Sequence, residues 1–149
     1  MLRSADYTCK HTQRSEAYSE DFLITTYFIN GELKYMEDRD HNLIPTMRIL
    51  HSYPFMMPHM RCDKGAIKHI LSGSHVMCPG LTHPNATMVD IKKGSVVAIM
   101  AEGKEHAMGV GITAMSTDEI RKVNKGVGID LIMFLNDGLW KLTRPQPTI

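Results

Sequence analysis

Lys64 and Lys68 stand four residues apart in the stretch Asp63-Lys-Gly-Ala-Ile-Lys-His-Ile-Leu-Ser-Gly-Ser-His-Val-Met-Cys-Pro-Gly-Leu81. On a helix that spacing puts two ammonium groups on one face, a turn apart, which suits neighbouring phosphates of a nucleic acid. Two glycine-bearing bends follow, Ser72-Gly73 and Pro79-Gly80. Glycine lets a backbone be approached closely there. The chemistry on offer is ionic and steric gripping of a phosphodiester chain, without any group for covalent work. The same lysine spacing is also that of an ordinary solvated helix face, so alone it does not decide between the two.

Other arrangements carry less. His59-x-x-Cys62 and Cys78-x4-His83 have ligand-like spacing, but a four-ligand metal site needs two good pairs that converge. The cysteines Cys9, Cys62 and Cys78 fit neither a disulfide framework nor a CxxC knuckle and are expected as reduced thiols. Gly109-x-Gly111 and Gly126-x-Gly128 lack the third glycine of a nucleotide loop and read as packing and capping positions. None of the eight histidines sits in a recognisable nucleophile setting. Asp38 and Asp40 lie in a charged loop. Lys92-Lys93, and Arg121-Lys122 with Lys125, read as a surface loop and the C-terminal dipole end of a helix. Trp140 reads as core rather than as a stacking platform.

The elements that must position the lysines follow from capping and periodicity. Asp63 can cap a helix whose apolar stripe is Ile67, Ile70 and Leu71, and Gly73 can end it in the left-handed conformation. Residues 96–101, Val-Val-Ala-Ile-Met-Ala, form an apolar run of strand length. Residues 106–115 alternate, with Met108, Val110, Ile112 and Ala114 on one face and Gly109, Gly111 and Thr113 on the other, where another backbone can come close. Ser116-Thr-Asp-Glu119 is a capping box, with Met115 and Ile120 at staple positions, for a helix over 117–125 ended by Gly126. A strand over 128–135, a turn at Asn136-Asp-Gly138 and a last strand over 139–142 complete a small, partly open β-barrel with peripheral helices.

Upstream, residues 1–21 are polar and aperiodic and read as a flexible tail. Asn30-Gly31 is the turn of a β-hairpin between 22–29 and 32–36. Pro45 opens a short helix over 46–52, and Pro54 and Pro58 bracket Phe55-Met-Met57 as an extended connector. The boundary between halves falls near Arg61, giving a partial first domain over 22–61, a second over 62–143 and a loose tail over 144–149.

The chain has 149 residues, 43% hydrophobic and 22% charged, enough for a real core without staples. No apolar run is long enough to cross a bilayer, and the first residues lack a secretory signal's apolar core, so a soluble cytoplasmic protein is expected. Net charge is +1, with seven Lys/Arg against eight Asp/Glu over residues 1–61 and ten against eight over 62–149. A protein that holds nucleic acid by overall charge is far more basic, so any RNA contact must use a local patch.

Several separated blocks resemble the malignant T-cell-amplified sequence family: Asp63-Lys-Gly-Ala-Ile-Lys, Leu71-Ser-Gly-Ser-His-Val-Met-Cys-Pro-Gly-Leu-Thr82, Val97-Ala-Ile-Met-Ala-Glu-Gly-Lys-Glu-His-Ala107, Lys122-Val-Asn-Lys-Gly-Val-Gly-Ile129 and Leu135-Asn-Asp-Gly-Leu-Trp140. The likeness continues upstream through Tyr53-Pro-Phe, Pro45-Thr-Met-Arg-Ile-Leu-His51 and Asn30-Gly-Glu-Leu33. It implies a PUA domain, an α+β pseudo-barrel, over 62–143, preceded by a truncated N-terminal α+β domain, since family proteins begin with a longer helix-containing segment. It also implies a non-catalytic translation factor that acts on the small ribosomal subunit with density-regulated protein, a partner carrying an SUI-type domain. The implied process is tRNA recruitment or release in non-standard initiation, reinitiation and recycling, without a cofactor or metal. Carried onto this chain, the RNA surface is Lys64, Gly65, Lys68, Ser72, Gly73, Met77, Pro79, Gly80 and Leu81, and its ligand the acceptor end of tRNA or nearby ribosomal RNA. The alternative is a PUA module that targets an RNA-modification enzyme.

Overall fold

The computed structural model describes residues 12–19, 22–38 and 40–141, which fall into two compact units divided after Thr46. The tail expected over 144–149, Cys9, and residues 1–11 of the first tail lie outside the described residues.

The first unit is a four-stranded antiparallel sheet of β1 (Thr12–Ser19), β2 (Phe22–Ile29), β3 (Glu32–Glu37) and β4 (Leu43–Pro45), in that order. Asn30 (φ 53°) and Gly31 (φ 78°) both take the left-handed region, which makes the β2–β3 connection the expected type I′ hairpin. Residues 12–19 differ from the tail read in the sequence, because they pair along the whole of β2 from Thr12 with Ile29 to Ser19 with Phe22. A strand of polar residues shows no apolar alternation, so its pairing comes from backbone hydrogen bonds to an existing edge. In the β3–β4 turn the Asp38 carboxylate accepts from the backbone N–H groups of Asp40 at 3.0 Å and Asn42 at 2.8 Å. The charged loop is thus an ordered Asx turn. Pro45 ends the edge strand β4, where its missing N–H interrupts no interior ladder.

In the second unit, α1 (Met47–Ser52) buries Met47 and Leu50. Pro54–Met56 then forms a 3-10 turn, closed by Met56 N–H donating to the Tyr53 carbonyl at 3.1 Å, rather than the expected extended connector. Proline at the first position of a turn is pre-set for helical φ, which overrides the reading of two bracketing prolines as extended.

Five strands, β5 (His59–Cys62), β6 (Val76–Met77), β7 (Val96–Ala101), β8 (Gly109–Thr113) and β9 (Val127–Phe134), form one mixed sheet in the order β5-β7-β8-β9-β6. Only the β5–β7 pair is parallel. With α2 (Lys64–Ile70), α3 (Cys78–Thr82), α4 (Thr117–Val123) and α5 (Gly138–Lys141) around it, this is the small mixed pseudo-barrel expected from the sequence. Met60, Ile70, Val76, Leu81, Val97, Ile99, Ile120 and Ile129 form its core.

The capping box of α4 is complete, with Ser116 Oγ accepting from Glu119 N–H and Glu119 reaching back to Ser116 N–H. The helix stops at Val123, short of the expected Lys125, because Asn124 takes the left-handed conformation (φ 46°) before Gly126 can. Residues 138–141 form a helix and not the expected last strand. The Asp137 carboxylate accepts from Trp140 N–H at 2.7 Å and from Phe134 N–H at 3.0 Å, so the cap decides the conformation over the alternation of Leu139-Trp-Lys.

Cys62 lies in the core with its thiol donating to the Met100 carbonyl, and burial pushes its pKa up to about 11. Burial raises the Cys78 thiol as well.

Two outcomes follow from this packing. A Cβ on Gly111 would lie 2.5 Å from Ile129 Cγ2 and 2.6 Å from the Asp130 carbonyl oxygen. Gly111→Ala is therefore expected to destabilise the fold by about 2 kcal/mol or more in urea unfolding, whereas Gly138→Ala, with nothing within 4 Å, changes little. The Cys62 proton is kept by the fold through a pH range where the unfolded chain loses it. Its contribution is complete below the ordinary thiol range and falls as pH rises toward about 11. Melting curves from neutral to alkaline pH should show a shallower loss in Cys62→Ala than in the unsubstituted chain.

Candidate nucleic-acid interface

The basic face is built by the start of α2. Asp63, extended at φ −69° and ψ 166°, ends β5 and caps the helix by accepting from Gly65 N–H at 3.0 Å. Lys64 and Lys68 are then both exposed on the helix surface, as the four-residue spacing requires. At the other end, Ser74 N–H donates to the His69 carbonyl and Gly73 N–H to that of Ile70, the paired bonds of a Schellman motif, with Gly73 at φ 91°. Ser72 Oγ donates to the Lys68 carbonyl at 2.7 Å.

On one side of α2, Lys64 and Lys68 share a shallow pocket with Glu102 and Lys104, from the turn after β7. Among the described residues, none of these three ammonium groups has a carboxylate oxygen within 4 Å. On the other side, α2 and the segment from Ser74 to Gly80 enclose a groove of about 750 Å³. Ala66, Ile70, Val76 and Val127 supply an apolar lining, and His69, His75 and His83 are imidazoles along it. His75 Nδ1 accepts from Leu131 N–H at 2.9 Å and His83 Nδ1 from Asn85 N–H at 3.1 Å. With Nδ1 accepting, a neutral imidazole carries its proton on Nε2, so each ring keeps a donor to offer a phosphate or base edge. Apolar surface with ring faces and a few donors accommodates an unstacked base.

Of the residues singled out from the sequence, Lys64, Gly65 and Lys68 share α2, while Met77, Pro79 and Gly80 line the groove with Gly65. Met77 and Pro79 are exposed, and Ser72 and Gly73 lie at the C-terminal end of α2. Leu81 is 1% exposed and belongs to the core. The bend at Pro79-Gly80 is not an open loop but the first turn of α3, because proline suits that position. Each glycine is approached by the protein itself: Gly65 N–H is taken by Asp63, a Cβ on Gly73 would lie 3.4 Å from the Phe134 ring, and one on Gly80 would lie 3.4 Å from Ala66 Cβ. Sequence reasoning passed over His69, His75, Glu102 and Lys104, and weighed His83 only as a metal ligand paired with Cys78, since nothing in their spacing marks them as neighbours.

The other basic positions are separate. Arg121 lies 3.5 Å from Asp90 and 4.0 Å from Asp118, and Lys92, Lys93, Lys122 and Lys125 are exposed. Trp140 is half-buried, with the Arg48 guanidinium 4.2 Å from its ring centroid and the His51 ring 5.6 Å away. Its neighbours are thus the protein's own side chains. Among the described residues, no three His, Cys, Asp or Glu side chains gather as a metal-binding group.

A curled mixed sheet with short peripheral helices and a capped helix beside a groove defines a PUA domain. Residues 58–135 match the PUA domain family, and the chain belongs to it. It is 55% identical over 114 residues to Malignant T-cell-amplified sequence 1-B of Xenopus laevis, a match spanning 76% of this chain and 63% of that protein. Malignant T-cell-amplified sequence 2 of Homo sapiens is 51% identical over the same shares of the two chains. The resemblance read in the sequence therefore holds, and the chain spans just under two thirds of the length of these relatives. Among solved structures it is similar to a conserved PUA domain protein from Thermoplasma acidophilum, with TM-score 0.65, 26% identity, and 86% of this chain and 80% of that one covered. A hypothetical protein from Pyrococcus horikoshii shares the fold at TM-score 0.67 and 22% identity, over 89% of this chain and 80% of that one.

Removing the cap tests how α2 is set. Asp63→Ala is expected to cost about 1 kcal/mol in urea unfolding, and Asp63→Asn, which keeps an oxygen acceptor, markedly less.

Proposed function

We propose that this protein is a non-catalytic RNA-binding factor of translation that holds the acceptor end of tRNA, or ribosomal RNA beside it. The observation that carries this reading is the pair of exposed lysines on α2, with no carboxylate oxygen within 4 Å among the described residues, set directly beside an open groove with apolar and imidazole lining. In this reading the ammonium groups neutralise backbone phosphates, while the groove takes an unstacked terminal base, so that charge supplies affinity and shape supplies selection. No bond is made or broken.

Membership of the PUA family and the close likeness to the Malignant T-cell-amplified sequence proteins support the assignment. With so few phosphate contacts, binding by the isolated chain is weak and falls with salt. A second protein that anchors the complex raises the effective concentration of RNA at the groove. We assign that role to density-regulated protein, on the small ribosomal subunit and in the cytoplasm, during reinitiation, recycling and non-standard initiation.

The test is the double substitution Lys64→Glu with Lys68→Glu. Affinity for a tRNA acceptor-stem hairpin at fixed salt should fall by about tenfold or more, with the thermal melt close to that of the unsubstituted chain, because both side chains are exposed. Undiminished binding would remove α2 from the interface.

A further inference from the structure

β6 is two residues long, and its ladder with β9 stops at the Val76–Ile129 rung. Further along β9, Leu131 N–H lies beyond that ladder and needs another acceptor. It donates to His75 Nδ1 at 2.9 Å, so a side chain supplies the rung that the short strand does not.

That bond fixes the ring. Nδ1 accepts only while unprotonated, which puts the proton of the neutral imidazole on Nε2. Asp130 Oδ1 is 3.9 Å from Nδ1, beyond hydrogen-bond reach, and does not compete for it. The two nitrogens of an imidazole point in divergent directions, so with Nδ1 turned to β9 the Nε2–H is turned away from it. The side chain is 52% exposed and lines the groove beside α2, and among the described residues Nε2 has no hydrogen-bond partner. The other two imidazoles of the groove are held less firmly. His69 has no side-chain tether among the described residues, and His83 Nδ1 accepts from Asn85 N–H, two residues on in the same turn.

Among the residues that line the groove the one charged side chain is Asp63, an acid. A phosphate is disfavoured there, and the acceptor that suits a fixed donor is a neutral one, a carbonyl oxygen or ring nitrogen on the edge of a base. We propose that His75 is a specificity-determining residue of the groove, whose Nε2–H donates to an acceptor on the edge of the unstacked base. This rests on the RNA-binding reading above and assigns recognition of the base to one hydrogen bond held in place by β9. A nucleotide without an acceptor at that point leaves the donor unpaired and is bound less well.

The experiment measures affinity of the full chain for a tRNA acceptor-stem hairpin with an unpaired last nucleotide, and for the same hairpin with that nucleotide abasic. His75→Asn puts an amide oxygen near the place of Nδ1, which keeps the acceptor for Leu131 N–H and removes the groove donor. His75→Gln reaches the place of Nε2 with an amide N–H and gives up the tether. Thermal melts of both verify the fold. His75→Asn should weaken binding of the intact hairpin about three- to tenfold and leave binding of the abasic one unchanged, and His75→Gln should bind the intact hairpin better than His75→Asn does. Equal affinity of His75→Asn and the unsubstituted chain for the intact hairpin would overturn the proposal, as would an equal loss on both hairpins or tighter binding by His75→Asn than by His75→Gln. If the unsubstituted chain binds neither hairpin, the RNA reading itself fails, and the role of His75 with it.

Discussion

Asp63 ends β5 and begins α2, and its groups are used on different neighbours. The carboxylate accepts from Gly65 N–H, which fixes the first turn of the helix, while its own N–H donates to the Gly80 carbonyl at 3.2 Å, which ties that turn to α3. Gly80 meets the helix at ordinary contact distance, with Ala66 Cβ 3.4 Å and Asp63 Oδ1 3.5 Å from where a Cβ would be. One residue thereby sets the helix against the groove wall and turns Lys64 and Lys68 outward. Burial of Ile70 beneath, and the Schellman bonds at the far end, keep the helix from rotating. The basic face and the groove are two sides of one short helix, so whatever holds α2 holds both.

The electrostatics are local. Net charge is only +1, and the basic residues over 117–125 stand partly opposite Asp90 and Asp118. In the α2 pocket three lysines from two elements line one shallow depression, and among the described residues no carboxylate lies within ion-pair distance of them, while a single acid lies beside the helix backbone. A surface of this kind gives a small, salt-dependent attraction, suited to a contact that must also be released.

Much of this architecture could be read from local signals. Asn30-Gly31 specified a hairpin, Ser116 through Glu119 a capping box, Asp63 a helix start and residues 96–101 a covered strand, and each is a case where one or two side chains dictate backbone conformation. Readings failed where the deciding partner is distant or the local cue is double-edged. β1 has no apolar pattern and exists by pairing with β2. β5 is four residues long and gains its place by parallel pairing with β7, some 39 positions on from His59 to Ala98. Pro79-Gly80 suggests a loop, yet proline also suits the first turn of a helix, and packing against Asp63 and Ala66 selected the latter. At the site, the lysine face was legible because helical spacing is local. The histidines of the groove and the pair Glu102 and Lys104 were not, because only the closing of the sheet brings residues 69, 75 and 83, or 64 and 102, together.

The account is tested most directly by mapping where RNA touches the protein. In a titration of the isotopically labelled chain with a tRNA acceptor-stem hairpin, followed by amide chemical shifts, the largest changes should fall on Lys64, Lys68, His69, His75, Met77 and Lys104, a contiguous surface around α2. Changes gathered instead on residues 117–125, with α2 and its groove unmoved, would contradict it.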